Sequence, residues 1–263
     1  MKMCIRIVAS SLDLKKSWKK SKRAFQLSAI VISTSLMAAA QVGPVATMLD
    51  REPFGRREAQ QSISTNALRA PAKAQGELQR AREALWRGRD ADASKHLDRA
   101  LIIYPDYALA LLLRGVVKMR SGNLQEACPD FEQAIEHDPN LGAAYVALGT
   151  VYNLQGNFHD ASPVLNRATP FFPTAWFLHY ESAVAQLGTG KIDAAWQSIS
   201  KAVDNLPAEP YNRSAVFYVR GRVLLKLENY PNARSAFAQA INEDPQGEIA
   251  KLARRFMESL TEQ

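Results

Sequence analysis

The chain has 263 residues, 47% of them hydrophobic, with 33 basic and 26 acidic side chains. That is enough for one or two domains with a core. The formal charge of +7 invites a nucleic-acid reading, but residues 1–40 carry eight of the basic side chains against one acid, Asp13, which leaves 25 of each sign in residues 41–263. The body is neutral and offers no basic surface to a phosphate backbone, so nucleic acid is not an expected partner. Of the two cysteines, Cys4 falls in the basic segment and Cys128 stands alone in the body. Neither a disulfide within the body nor a cysteine metal cluster is expected.

Residues 1–40 read as a signal peptide or a signal anchor. Lys15, Lys16, Lys19, Lys20, Lys22 and Arg23 precede a stretch from Ala24 to Leu49 without charge, whose apolar centre ends in Ala38-Ala39-Ala40. A positive flank, a moderate apolar run and small residues at −3 and −1 fit cleavage before Gln41. Left uncut, the same run is long enough to cross a bilayer once, with the basic flank held in the cytoplasm. Both readings carry the body out of the cytoplasm, into the periplasm or onto the periplasmic face of the inner membrane. Lys22-Arg23-Ala24-Phe25 resembles a twin-arginine export motif with lysine for the first arginine, so general secretion and twin-arginine export both stay open. Residues 41–73 read as a polar linker interrupted by Gly43, Pro44, Pro53, Gly55 and Pro71, with a short helix over 57–69.

From residue 74 a pattern recurs every 34 residues. Pro105, Pro139, Pro173 and Pro207 keep that spacing, and Pro245 follows after a four-residue insertion near 210–213. Ala93, Ala127, Ala161, Ala195 and Ala233 run in phase with it, as do Ala100, Ala134, Ala168, Ala202 and Ala240. Between them lie Leu97, Phe131, Leu165, Ile199 and Phe237. Such a period predicts stacked helical hairpins. Ala81, Gly115, Gly149, Ala183 and Gly221 let the first helix of each hairpin approach the alanine column of the second. Gly88, Gly122, Gly156 and Gly190 fit the left-handed turn between them. The fifth unit has Glu228 there, and Asn229 is expected to adopt that conformation instead. Pro129 and Pro163, about one turn inside their helices, are expected to loosen or bend them.

The third unit carries the closest resemblance to a known family. Tyr145, Leu148-Gly149, Tyr152, Ala161, Leu165, Ala168 and Pro173 resemble the signature of the tetratricopeptide repeat. The resemblance implies an all-α, right-handed α-solenoid of about five hairpins, over 74–107, 108–141, 142–175, 176–209 and 214–247, with a capping helix in 246–263. Glu77, Arg80 and Ala84 make the first unit a polar cap. Ile249, Leu252, Ala253, Phe256, Met257 and Leu260 give the last helix an apolar face.

No reactive constellation is legible. His96, His137, His159 and His179 occupy four different repeat phases. Gly188-Thr189-Gly190-Lys191 lacks the first glycine and the hydroxyl residue of a phosphate loop. The chain is therefore not expected to be an enzyme or to need a cofactor or a metal. The resemblance implies a concave surface lined by the first helices, with exposed positions at Leu109, Leu112, Val116, Val146, Thr150, Asn153, Phe177, Tyr180, Tyr218 and Arg222. Leu78, Arg82 and Leu113 replace residues that the chaperone-tail subtype uses to grip a carboxylate. An apolar groove of this kind suits a helix or extended segment of another protein. Its residues equally suit packing within the stack, or contact with the chain's own N-terminal segment. Function accordingly reads as a protein-binding scaffold of the cell envelope or, alternatively, a self-associating repeat module without a groove ligand. A membrane contact is expected only through an N-terminal anchor.

Overall fold

The computed structural model describes residues 65–261. The leader, the proposed cleavage site and most of the linker lie outside the described residues. The described residues form twelve α-helices: α1 Thr65–Arg69, α2 Ala72–Trp86, α3 Asp90–Ile103, α4 Ala108–Arg120, α5 Leu124–His137, α6 Gly142–Gln155, α7 Phe158–Ala168, α8 Trp176–Gly188, α9 Ile192–Asp204, α10 Pro210–Lys226, α11 Tyr230–Glu243 and α12 Glu248–Thr261. From α2 to α11 they pair as five hairpins. From α4 onward each first helix packs on its own partner, on the second helix of the unit before and, more lightly, on neighbouring first helices. Of the short helix expected over 57–69, residues 57–64 lie outside the described residues, and the remainder is α1 at Thr65–Arg69. It is tied down by Asn66, whose amide donates to the carbonyl of Asp106 (2.7 Å) and accepts from the Ala108 N–H (3.1 Å).

The 34-residue period has a steric cause. Ala93, Ala127, Ala161, Ala195 and Ala233 are fully buried, as are Ala100, Ala134, Ala168, Ala202 and Ala240. The small column of the first helices faces the large column of the second rather than the alanines themselves. A Cβ on Gly115 would fall 2.5 Å from the Phe131 ring, one on Gly149 2.5 Å from Leu165 and one on Gly221 2.6 Å from Phe237. Real carbon contacts need well over 3 Å, so these three large side chains are seated directly on bare helix backbone, while units one and four place a methyl group there, at Ala81 and Ala183.

The turns follow the same economy. Gly88, Gly122, Gly156 and Gly190 all have positive φ. In the fifth unit Glu228 itself takes that conformation, at φ 58°. Asn229 does not; at φ −89° it caps α11, its side chain accepting from the Asn232 N–H. The cap needs an oxygen-bearing side chain at Asn229, which leaves the left-handed position to a glutamate. Pro129 and Pro163 lie inside α5 and α7, and both helices run on past them for at least one further turn. The insertion near 210–213 extends the first helix of unit five. Pro210 begins α10, which reaches 17 residues where α4 and α8 have 13. Proline is favoured there because the first N–H of a helix has no internal partner.

Charge pairs stitch the first two units. Arg114 forks onto Asp130 at 2.7 and 3.1 Å and reaches Asp98 of the preceding unit at 3.3 Å; Lys118 adds a 2.8 Å contact to Asp130. Asp130 is buried, so both cations compensate a carboxylate removed from water. At the far end α12 lies where the first helix of another unit would lie, against α11 and α10. Ile249, Leu252 and Ala253 are buried on it, as expected, while Phe256, Met257 and Leu260 are partly buried.

Two stability outcomes arise from this packing. Glu228→Gly should stabilise the chain by about 1 kcal/mol, the usual cost of a left-handed non-glycine residue. Thermal unfolding checks it, and no gain would show that Glu228 is compensated by contacts of its own. Ala161→Trp should cost about 1–3 kcal/mol or more by overpacking a fully buried helix contact. Cys128→Ser, at a half-buried position where the thiol meets the Leu124 carbonyl, should cost much less in the same thermal unfolding measurement.

Candidate partner-binding surface

The first helices α4, α6, α8 and α10 carry the ten residues expected to line a concave groove. Leu109, Phe177 and Arg222 are half-buried. The other seven are not exposed: Leu112, Val116, Val146, Thr150, Asn153, Tyr180 and Tyr218 are each 3% accessible or less. The expectation of exposed positions is corrected for those seven. Successive first helices touch one another along this side (α4 with α6, α6 with α8, α8 with α10), so side chains in this phase also lie beside the next unit.

Tyr218 shows how far such a side chain reaches. Its ring lies 5.9 Å from Phe237 on α11 and 6.0 Å from Phe256 on α12, with the Phe237 and Phe256 rings stacked at 5.4 Å. It is an aromatic wedge between the fifth unit and the terminal helix. Burial raises its hydroxyl pKa, and the nearby Arg222, 5.9 Å from the ring, opposes that shift. Around the third and fourth units, Phe172, Phe177, Trp176 and Tyr180 form a chain of ring contacts 5.5 to 6.4 Å apart. Tyr180 is buried in this chain, whereas Trp176 and Phe177 retain partial exposure.

Thr150 and Asn153 meet Glu181, a residue outside the set expected to line the groove. The Asn153 amide donates to the Glu181 carboxylate at 2.7 Å and to the Glu181 main-chain carbonyl at 3.0 Å. Glu181 is fully buried. Burial pushes its carboxyl up to about 7, against the smaller opposing effects of Asn153 and Thr150. The sequence does carry a signal for it: Glu181 stands in the repeat column of Leu113, Ala147 and Val219, where the second to fifth units otherwise place apolar side chains.

The histidines stay apart, as their phases imply. His96 contacts Glu77 at 2.7 Å, His137 lies 3.6 Å from Asp106, the His179 ring meets the Pro173 carbonyl at 2.9 Å and His159 is exposed. Among the described residues no group of three or more His, Cys, Asp or Glu is arranged to hold a metal ion. No described helix is long and apolar enough to cross a membrane.

Because Tyr218 is a packing residue, Tyr218→Ala should lower stability by roughly 3–5 kcal/mol, as other large aromatic truncations in cores do. A urea titration followed by circular dichroism checks this. An unchanged midpoint would return Tyr218 to the solvent-facing side of α10.

Comparison with known proteins agrees with this architecture. Models of the tetratricopeptide repeat match residues 106–174 and 214–246. The human tetratricopeptide repeat protein 6 is 25% identical over 168 residues, which is 64% of this chain and 31% of that protein. This chain spans less than a third of the first curated relatives it matches. Among solved structures, MamA from Desulfovibrio magneticus RS-1 superposes with a TM-score of 0.57 at 20% identity, covering 68% of this chain and 99% of that one. YrrB, described as a tetratricopeptide-repeat protein with an unusual peptide-binding site, superposes with 0.56 at 21% identity, covering 71% and 99%. Residues 106–174 and 214–246 match tetratricopeptide repeats, and the described residues fold as an all-helical array of paired hairpins.

Proposed function

We propose that this chain is a non-catalytic scaffold of the cell envelope that holds a segment of another protein along the inner face of its first helices. Tetratricopeptide arrays are in general protein-interaction scaffolds, and one structural neighbour is described as having a peptide-binding site. The observation that carries the reading is the composition of the inner row: seven of its ten side chains are apolar or aromatic, on a body with equal numbers of acids and bases. A row of that kind favours an apolar helix or extended segment over a charged ligand. Since most of the row is buried, the contact is assigned to its half-buried members: Leu109 on α4, Phe177 on α8 and Arg222 on α10. The basic leader, the uncharged run and Ala38-Ala39-Ala40 support export of the body, either released by cleavage or held by the anchor.

Photo-crosslinking groups placed at Leu109 and Phe177, with a control at exposed Lys95, test the surface in envelope fractions. The expected outcome is one crosslinked peptide shared by the two inner positions and absent from the control. Binding of that peptide should weaken only modestly between low and high salt, since screening acts on charges. Crosslinks between two copies of this chain would support self-association instead, and crosslinks from Lys95 alone would move the interface to the outer face. N-terminal sequencing of the exported protein should begin near Gln41 if the leader is cleaved; an intact Met1 on protein held in the cytoplasm would overturn the location.

A further inference from the structure

Glu181 lies at a junction. The buried apolar side chains fall into two groups that meet on α8. Leu178 and Ala185 belong with units one to three; Tyr180, Ala183, Val184 and Leu187 belong with units four and five and the terminal helix. The described polar link across this seam from α6 to α8 is the pair of bonds from Asn153 to the Glu181 side chain and carbonyl. Three further buried polar atoms lie around it, outside those two bonds: Glu181 Oε1, Asn153 Oδ1 and Thr150 Oγ1, the last belonging to the hydroxyl that acts on the carboxyl. Asn153 Oδ1 can only accept, and an ionised carboxylate can only accept. The Thr150 hydroxyl is one donor and can serve only one of these acceptors, so a proton on the carboxyl supplies a second.

No cation offsets the charge. Burial dominates what acts on this carboxyl, with Asn153 and Thr150 as the other influences. Several ionisable groups on the four helices packed on α8 are engaged elsewhere. Tyr152 of α6 bonds to Glu132, and Arg167 of α7 lies over Tyr145. Lys201 of α9 acts on His179 of α8 itself. On α10, Arg220 lies over Trp196 and Arg222 beside Tyr218. A buried carboxylate without a compensating cation is among the costliest groups a core can hold.

We propose that Glu181 makes the contact between the third and fourth repeats proton-dependent: the units are locked while its carboxyl is neutral, and the array loosens at that joint when it ionises. The sign comes from linkage. The folded state holds this proton to about pH 7, while the unfolded chain releases it in the ordinary carboxylate range near 4.5. The stabilisation is therefore complete below that range and is lost as pH rises toward 7. Between those limits the equilibrium constant for opening rises by up to about tenfold per pH unit, and above them it levels off.

The test uses the purified full chain and its Glu181→Gln variant, which keeps the shape and the acceptor for Asn153 but cannot ionise. Urea midpoints from pH 5 to pH 8 and amide hydrogen exchange, corrected for its intrinsic pH dependence, are measured on both. The wild type should lose protection in α6 and α8 by tenfold or more between pH 5.5 and pH 7.5, with little change in α11. The variant should show neither that loss nor the matching slope in its urea midpoint. Carbon-13 NMR of glutamate carboxyls in the wild type gives a readout independent of the variant's folding, with one carboxyl expected to titrate near neutrality. An unchanged slope in the variant, exchange that rises evenly through all helices, or glutamates that all titrate in the usual range would each overturn the proposal.

Discussion

The array depends on one contact, a large side chain seated on a first helix that carries only glycine or alanine at that point. Phe131 over Gly115, Leu165 over Gly149 and Phe237 over Gly221 set how closely the two helices of a hairpin approach. The alanines one turn before and after each large residue complete the fit. Where the helices come this close, an added methyl group has nowhere to go, so the unit length and its small residues recur together. Everything else, including turn geometry, the proline stops and the position of the inner row, is hung on that spacing.

This explains which parts of the fold are legible in the sequence. Close approach restricts residue type severely, so the alanine, glycine and large columns can be read directly, and with them the hairpins and the terminal helix. Turns are legible where glycine marks them. At Glu228 the expectation fails because two neighbouring residues share two jobs, a left-handed turn and a helix cap, and Asn229 is better suited to the second.

The surface is less legible, for a different physical reason. Repeat phase tells which side of a helix a residue occupies, but not how far a neighbouring helix or ring extends over it. Tyr218 faces the expected side and is nevertheless covered by contacts with Phe237 and Phe256. Polar partners are equally hidden from a single chain's periodicity. Arg114 and Asp130 are paired across a hairpin, and Asn153 and Glu181 across two units. Each pair joins helices that the columns describe separately. The two differ in kind. Asp130 has two cations beside it, whereas Glu181 has an amide and a hydroxyl, so burial falls on a compensated charge in one case and on an uncompensated one in the other.

The added turn at the start of α10 has a consequence for how such arrays tolerate change in length. A helix advances about 100° per residue, so four residues turn through roughly 400° and return the side chains to within about 40° of their former direction. Three residues would fall short by about 60°, and two would swing the face nearly to the opposite side. An insertion of four at the free end of a first helix thus adds about 6 Å of length while the packed face keeps nearly its bearing. Ala215, Gly221 and Val223 can stay seated in the stack, and the lengthened helix adds a buried Asn212 and a half-buried Tyr211 whose hydroxyl feels Asp244. Whole turns are in effect the unit in which this architecture accepts additions, and the first-helix N-termini are where they can be spliced in without unwinding the remainder of the helix.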